Sequence, residues 1–152
     1  MMSDMTSALR TFQSSALSRH SAEVFAAADA GPVEVTRRDG DSLVLMSSRL
    51  AEANDHLLEF AAQLIAATTD DRGTLADRLS ERLDWMLALT PEDRDICAAA
   101  LVRAARASFS TGQSHLALAE LASWRSTATA LAQGLGNDEV DWLDEPEKVA
   151  RP

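Results

Sequence analysis

Tyrosine is absent from this chain of 152 residues, cysteine occurs once, and prolines and glycines number only four and six. The single thiol, Cys97, cannot close an internal disulfide, which suits a reducing cytoplasm. The scarcity of proline, with abundant alanine and leucine, favours helix over sheet. No apolar run approaches the roughly 18 residues that a membrane span requires, so no membrane partner is expected. The opening segment MMSDMTSALR carries Asp4 and lacks an apolar h-region, which makes it a poor secretion signal. The expected location is cytoplasmic.

The chemistry of an enzyme is equally scarce. His20, His56 and His115 fall on three separate predicted helices without H-x-x-x-H or H-E-x-x-H spacing, so no metal site is expected. Cys97 lies between Ile96 and the run Ala98-Ala99-Ala100, the setting of a small core residue and not of a nucleophile. Phosphate loop, G-x-S-x-G and dinucleotide fingerprint are all missing. Asp70 and Asp71, close to Gly73, read as a solvated turn. The expectation is a non-enzyme without a cofactor.

Positive charge is in short supply too: the net charge is −10. Its distribution matters more than its sum. Residues 1–50 carry five arginines against six acids, residues 51–135 seven arginines against twelve, and residues 136–152 six acids against one lysine and one arginine. The first part is nearly neutral, so a symmetric dimer could focus a few arginines on one face. The acidic end suits a basic partner.

What is present is an ordered set of elements. Thr11-Phe12-Gln13 reads as a short strand. Leu17, Ser21, Val24, Phe25 and Ala28 mark one face of a helix, and Gly31-Pro32 stops it, proline having no amide to donate and glycine tolerating φ > 0. Val33-Glu34-Val35-Thr36 alternates as a half-buried strand. Asp39-Gly40 suits a two-residue type I′ turn, with Leu43-Val44-Leu45-Met46 returning. Ser47 or Ser48 then caps a helix from about Arg49 towards Thr68, with Leu50, Ala53, Leu57, Ala61 and Leu64 as its stripe and Phe60 and Ile65 beside it. Thr68 to Gly73 is the clearest break. Beyond it, Thr74 with Asp77 opens a helix carrying Leu75, Leu79, Leu83, Met86 and Leu87. Thr90-Pro91 opens another, to about Ser108. Ser114 caps a third, with Ala117, Leu121, Trp124, Ala128 and Leu131 inward, ended by Gly134 and Gly136.

The fold class is therefore α+β: a strand-helix-hairpin unit followed by a mainly α-helical part. The expected divisions are 1–69, 74–136 for a helical unit, and 137–152 for an acidic tail. In that order of elements, the phrases GPVEVTRR and LVLMS resemble those of the Phd/YefM (prevent-host-death) family of type II antitoxins, over roughly residues 10 to 65. In that family a helix leads to G-x-P-V-x-I-T-R-R, a turn, and V-A-V-L-x-S. One departure is clear. The family opens its first helix with S-E-A-R, whose arginine faces DNA. Here Ser14-Ser15-Ala16-Leu17-Ser18-Arg19 puts Leu17 or Ser18 near that place, and Arg19 is the nearest basic substitute.

The resemblance implies an antitoxin that neutralises a cognate toxin, an RNA-cleaving one by expectation, and represses its own operon by binding operator DNA. It also implies a homodimer or higher homo-oligomer built on the N-terminal half. The DNA-contact candidates are Arg19, Arg10, His20, Arg37 and Arg38, although Arg37 and Arg38 could instead brace the hairpin through Glu34, Asp39 or Asp41. Val24, Phe25, Val33, Val35, Val44 and Met46 are assigned to the small core and the dimer seam, since a unit this small buries little apolar surface alone. Candidate toxin contacts are Leu57, Phe60 and Leu64, or the tail residues Asp141, Trp142 and Leu143, where Trp142 could also pack on its own helices. The alternative is a stand-alone helical interaction protein or regulator with no toxin.

Overall fold

The computed structural model of the chain describes residues 9–136. They form a small three-stranded sheet and a larger set of helices, a mixed α+β architecture. The chain divides into two compact units, Met1–Phe60 and Ala61–Pro152. The acidic tail, 137–152, with Asp141, Trp142 and Leu143, lies outside the described residues.

In the first unit, β1 (Arg10–Gln13) leads through two short helices, α1 (Ala16–Arg19) and α2 (Ser21–Ala30), to β2 (Val33–Thr36) and β3 (Leu43–Leu45). The sheet order is β1-β2-β3. β1 runs parallel to β2, with Arg10 opposite Val33 and Gln13 opposite Thr36. β2 and β3 are antiparallel, Val33 opposite Leu45 and Val35 opposite Leu43. Alternation puts Val33 and Val35 on one face, where α2 packs against β2. Val24, Ala28, Val33 and Val35 are all buried.

Three local expectations change. The single helix is broken at His20, whose φ of −137° and ψ of 39° end α1 and open α2. The break gives each piece its own strand, α1 beside β1 and α2 beside β2, and it leaves Leu17 exposed. The hairpin is not closed by a two-residue turn either. Its pairing stops at Val35–Leu43, so residues 37–42 form a longer loop. Arg37 explains the loop: its Nε donates to the Asp41 carbonyl at 2.9 Å. Gly40 has a φ of 125°, and a Cβ there would meet Arg37 Nη2 at 3.1 Å. Gly31 ends α2 in an extended conformation, φ 172°, and not a left-handed one. Proline is thus the element that stops the helix.

α3 (Ser48–Thr69) begins with the Ser47 hydroxyl accepting from Leu50 N–H at 3.3 Å. The division between the two units falls within it. In the second unit, the Asp70–Gly73 break is tied down. Asp70 accepts from the Arg72 amide and guanidinium. Arg78 donates to the carbonyls of Ala67, Arg72 and Gly73, at 2.6, 3.2 and 2.9 Å. One guanidinium thereby satisfies a carbonyl in the last turn of α3 and two in the loop.

α4 (Leu75–Ser80) opens with a full capping box, Thr74 Oγ1 accepting from Asp77 N–H and Asp77 accepting from Thr74 N–H. The helix does not continue to Leu87 as its spacing predicts. It gives way to a 3-10 turn over Asp84–Ala88. A period of three then lines up Leu83, Met86 and Leu89, all buried, and turns Leu87 out to solvent.

α5 (Pro91–Thr111) has Thr90 as N-cap and Gly112 in the left-handed region at its end. α6 (His115–Ala132) packs against α5. Ser114 caps nothing with its side chain. The acceptor comes from α5 instead: Ser108 Oγ, fully buried, takes the Ala117 N–H at 2.9 Å. Leu79, Met86, Cys97, Leu101 and Ala117 centre this core.

Candidate functional site

The sequence candidates for DNA contact all lie in the first unit, but the fold treats them unequally. Arg10, on the edge strand β1, is engaged within the chain. Its Nη2 meets Glu23 Oε1 of α2 at 2.7 Å, and its guanidinium lies 5.0 Å from the Phe12 ring centre. Arg19 is exposed in the last turn of α1, and His20 is exposed at the junction. Arg37 is committed to closing the hairpin loop through the Asp41 carbonyl, and not through the carboxylates of Glu34, Asp39 or Asp41. Glu34 accepts from Thr11 across the sheet at 3.3 Å. Arg38 is exposed and makes no ion pair among the described residues.

Arg37 and Arg38 do converge with other groups. Together with Gln13, Ser14, Ser15 and Thr36 they line a cleft of about 480 Å³. Its walls are the turn between β1 and α1 and the end of β2. The walls are held together by Ser14 N–H donating to the Thr36 carbonyl at 2.9 Å, and by Thr36 Oγ1 donating to the Phe12 carbonyl at 3.2 Å. No carboxylate lines the cleft. Ser14 and Ser15 carry no site signal of their own in the sequence. What brings them to the arginines is the parallel register, which sets the end of β1 beside the end of β2 and cannot be read from either strand alone.

The residues assigned to core and seam separate into two groups. Val24, Val33 and Val35 are buried, and Met46 is half-buried. Phe25, Val44 and Leu43 are 52%, 54% and 51% exposed, and alternation along β3 puts Leu43 and Val44 on opposite faces of the sheet. Burying such side chains would remove substantial apolar area from water. Of the α3 candidates for partner contact, Leu57 is half-buried, whereas Phe60 and Leu64 are buried within the chain itself. The exposed apolar side chains of α3 are Leu58 and Ile65.

Among the described residues no group of three or more histidines, cysteines or acids could hold a metal ion. His56 lies 3.9 Å from Glu59 on the exposed face of α3. Cys97 is fully buried, and burial, with the nearby Glu120 carboxylate adding to it, pushes its thiol up to about 12. A thiol so placed is little ionised near neutrality. No described helix is long and apolar enough to cross a membrane. No family model, curated protein or solved structure matches this chain.

Proposed function

We propose that this chain is a type II antitoxin of the Phd/YefM kind, cytoplasmic and not an enzyme. Its first unit dimerises and binds operator DNA, and its remaining part engages a cognate toxin. The observation that carries the reading is the first unit's pairing of an arginine-lined, carboxylate-free cleft with exposed Phe25, Leu43 and Val44. Two such units joined through their apolar side chains present two cationic clefts at a fixed spacing, the arrangement that a repeated DNA site requires. The parallel β1–β2 pair followed by a hairpin also has the order of elements that the family resemblance implies. On this reading the toxin is a basic ribonuclease, and acidic side chains block its RNA-binding surface.

The test is growth of cells expressing the adjacent small reading frame, with and without this chain. Relief of growth arrest by the full chain, together with retardation of its own upstream DNA, is the expected result. Arrest that this chain does not relieve would overturn the antitoxin assignment. A version ending at Gly136 then locates the neutralising contact: failure to rescue assigns it to the tail, and equal rescue assigns it to the helices.

A second reading has its own support. The second unit has a core of its own around Leu79, Met86 and Leu101, each fully buried. That favours a stand-alone regulator in which the helical unit, and not a toxin-ordered tail, carries the second activity. DNA binding without any arrest in the growth test is its signature.

A further inference from the structure

We propose that the cleft between the β1–α1 turn and the end of β2 is a phosphodiester-binding site. Arg38 supplies its charge, and the Ser14 and Ser15 hydroxyls orient the phosphate. The inference rests on the DNA-binding reading and narrows it: this site holds the nucleic-acid backbone and not a base edge.

Electrostatics carries the first step. In a chain of net charge −10, the six residues lining this cleft are two arginines, two serines, a threonine and a glutamine. An anion entering it meets donors on every wall and no carboxylate. Thr36 Oγ1 is spent on the Phe12 carbonyl, and Arg37 Nε on the Asp41 carbonyl. Ser15 holds Ser18 through its carbonyl, which leaves its hydroxyl available. Arg38 has no carboxylate within ion-pair distance among the described residues. The lining donors that make no hydrogen bond among the described residues are therefore Arg38, the Nη groups of Arg37, the Gln13 amide and the Ser14 and Ser15 hydroxyls, a set suited to a tetrahedral oxyanion.

Shape carries the second step. Base edges lie at the floor of a groove and are read by side chains that protrude from the protein. Phosphates stand out from the duplex, and contacts to them fix register without reading sequence. A recess of about 480 Å³ lined by donors can receive a group that stands out in this way. Arg37 acts as a positioning residue. Its bond to Asp41 and its approach to Gly40 hold the loop so that Asp39 and Asp41 stay off the cleft wall.

The test uses the full chain and its Arg38→Gln variant, with Arg10→Gln as a comparison because Arg10 is already paired with Glu23. Inorganic phosphate is titrated first, followed by amide NMR. Shifts at Ser14, Ser15 and Arg38, lost in Arg38→Gln, are expected. Binding to a mixed-sequence duplex is then measured against salt. The slope of log K on log salt should become shallower by about 1 per protomer in Arg38→Gln, with the preference for the chain's own upstream DNA unchanged. Circular dichroism checks that the exposed substitution leaves the fold intact. Duplex binding with an unaltered slope in Arg38→Gln would overturn the clamp while leaving DNA binding standing. A phosphate response without duplex binding would keep the anion site and overturn the DNA reading. Neither response would overturn both.

Discussion

The two units differ most in how many apolar side chains they bury. Among the described residues, the second keeps fourteen apolar side chains buried, with Leu79, Met86, Cys97 and Leu101 fully enclosed. The first buries five, four of them between α2 and β2 together with Phe60, and leaves Phe25, Leu43 and Val44 half open to water. Large apolar side chains stay exposed in both, and Ile65, Ile96 and Phe109 of the second unit are as open as those of the first. Since hydrophobic stabilisation scales with apolar area removed from water, the difference lies in how much each unit buries. The difference is one of geometry and not of composition. A three-stranded sheet with a helix on one face has two open edges and an open face, while antiparallel helices joined by short turns close around their own core. On the proposed reading, a second copy of the first unit supplies further burial.

The centre of α5 is where the second unit has most to lose. Leu101→Ala, at the centre of α5, should cost about 2–5 kcal/mol through lost burial and a residual cavity. Urea titration read by tryptophan fluorescence measures it, since Trp85, Trp124 and Trp142 all belong to the second unit. Val24→Ala, the matching change in the first unit, should cost about 2 kcal/mol or less, read by amide exchange at Val33 and Val35 because the first unit has no tryptophan. An equal loss from Val24→Ala would show the first unit to be as tightly packed as the second.

A sharper version concerns Ser108 and Ser114. Ser108→Ala leaves the buried Ala117 N–H without its acceptor and should cost about 1–3 kcal/mol. Ser114 makes no capping hydrogen bond, so Ser114→Ala should cost no more than about 0.5 kcal/mol. The two midpoints, measured side by side, test whether α6 is started by its own residue or by its neighbour's. The reverse ranking would return the cap to Ser114.

For the first unit, the decisive quantity is concentration dependence. Phe25→Ser should weaken self-association about tenfold, equivalent to about 1.4 kcal/mol, measured by sedimentation equilibrium. The unit's melting point should rise with protein concentration in the parent chain and less so in the variant. A parent chain that stays monomeric would remove the dimer from the proposal and leave Phe25 as a solvent-exposed side chain.

These contrasts also locate what could be read from the amino acids. Thr90-Pro91 and Thr74 with Asp77 announced their helix starts because capping chemistry is local: each bond joins residues three apart. The alternation of Val33 and Val35 likewise set a strand and its buried face. The cap of α6 was hidden because its acceptor, Ser108, is nine residues from the N–H it satisfies. Leu87 was misplaced for a related reason. Leu83, Met86 and Leu87 fit a period of 3.6, while Leu83, Met86 and Leu89 fit a period of three, and only packing decides between them. The cleft was half legible. Arg37 and Arg38 stood out by charge, but Ser14 and Ser15 join them only through the parallel pairing of two strands distant in sequence.

The smallest expected effect concerns acid. The second unit holds a helix cap that depends on an ionised carboxylate. Asp77 is held below the 3.8 of a free aspartate, first by the Thr74 backbone N–H and then by the Thr74 hydroxyl. Arg72, through its side chain and its amide, holds Asp70 well below the usual carboxylate range. Both groups are depressed in the folded chain, so their stabilisation is present above the unfolded value near 3.8 and drains as pH falls towards the folded values. The Arg78 bridges to the carbonyls of Ala67, Arg72 and Gly73 carry no such dependence, since neither partner titrates in that range. Acid should therefore loosen the start of α4 before it loosens that staple. Asp77→Asn keeps an oxygen for the Thr74 N–H but removes the charge. Its urea midpoint, read by Trp85 between about pH 5 and about pH 3, should fall less steeply than that of the parent chain. Parallel curves would mean that the Asp77 charge contributes nothing to this unit's stability, and that the acid response of the break belongs to Asp70 and Arg72.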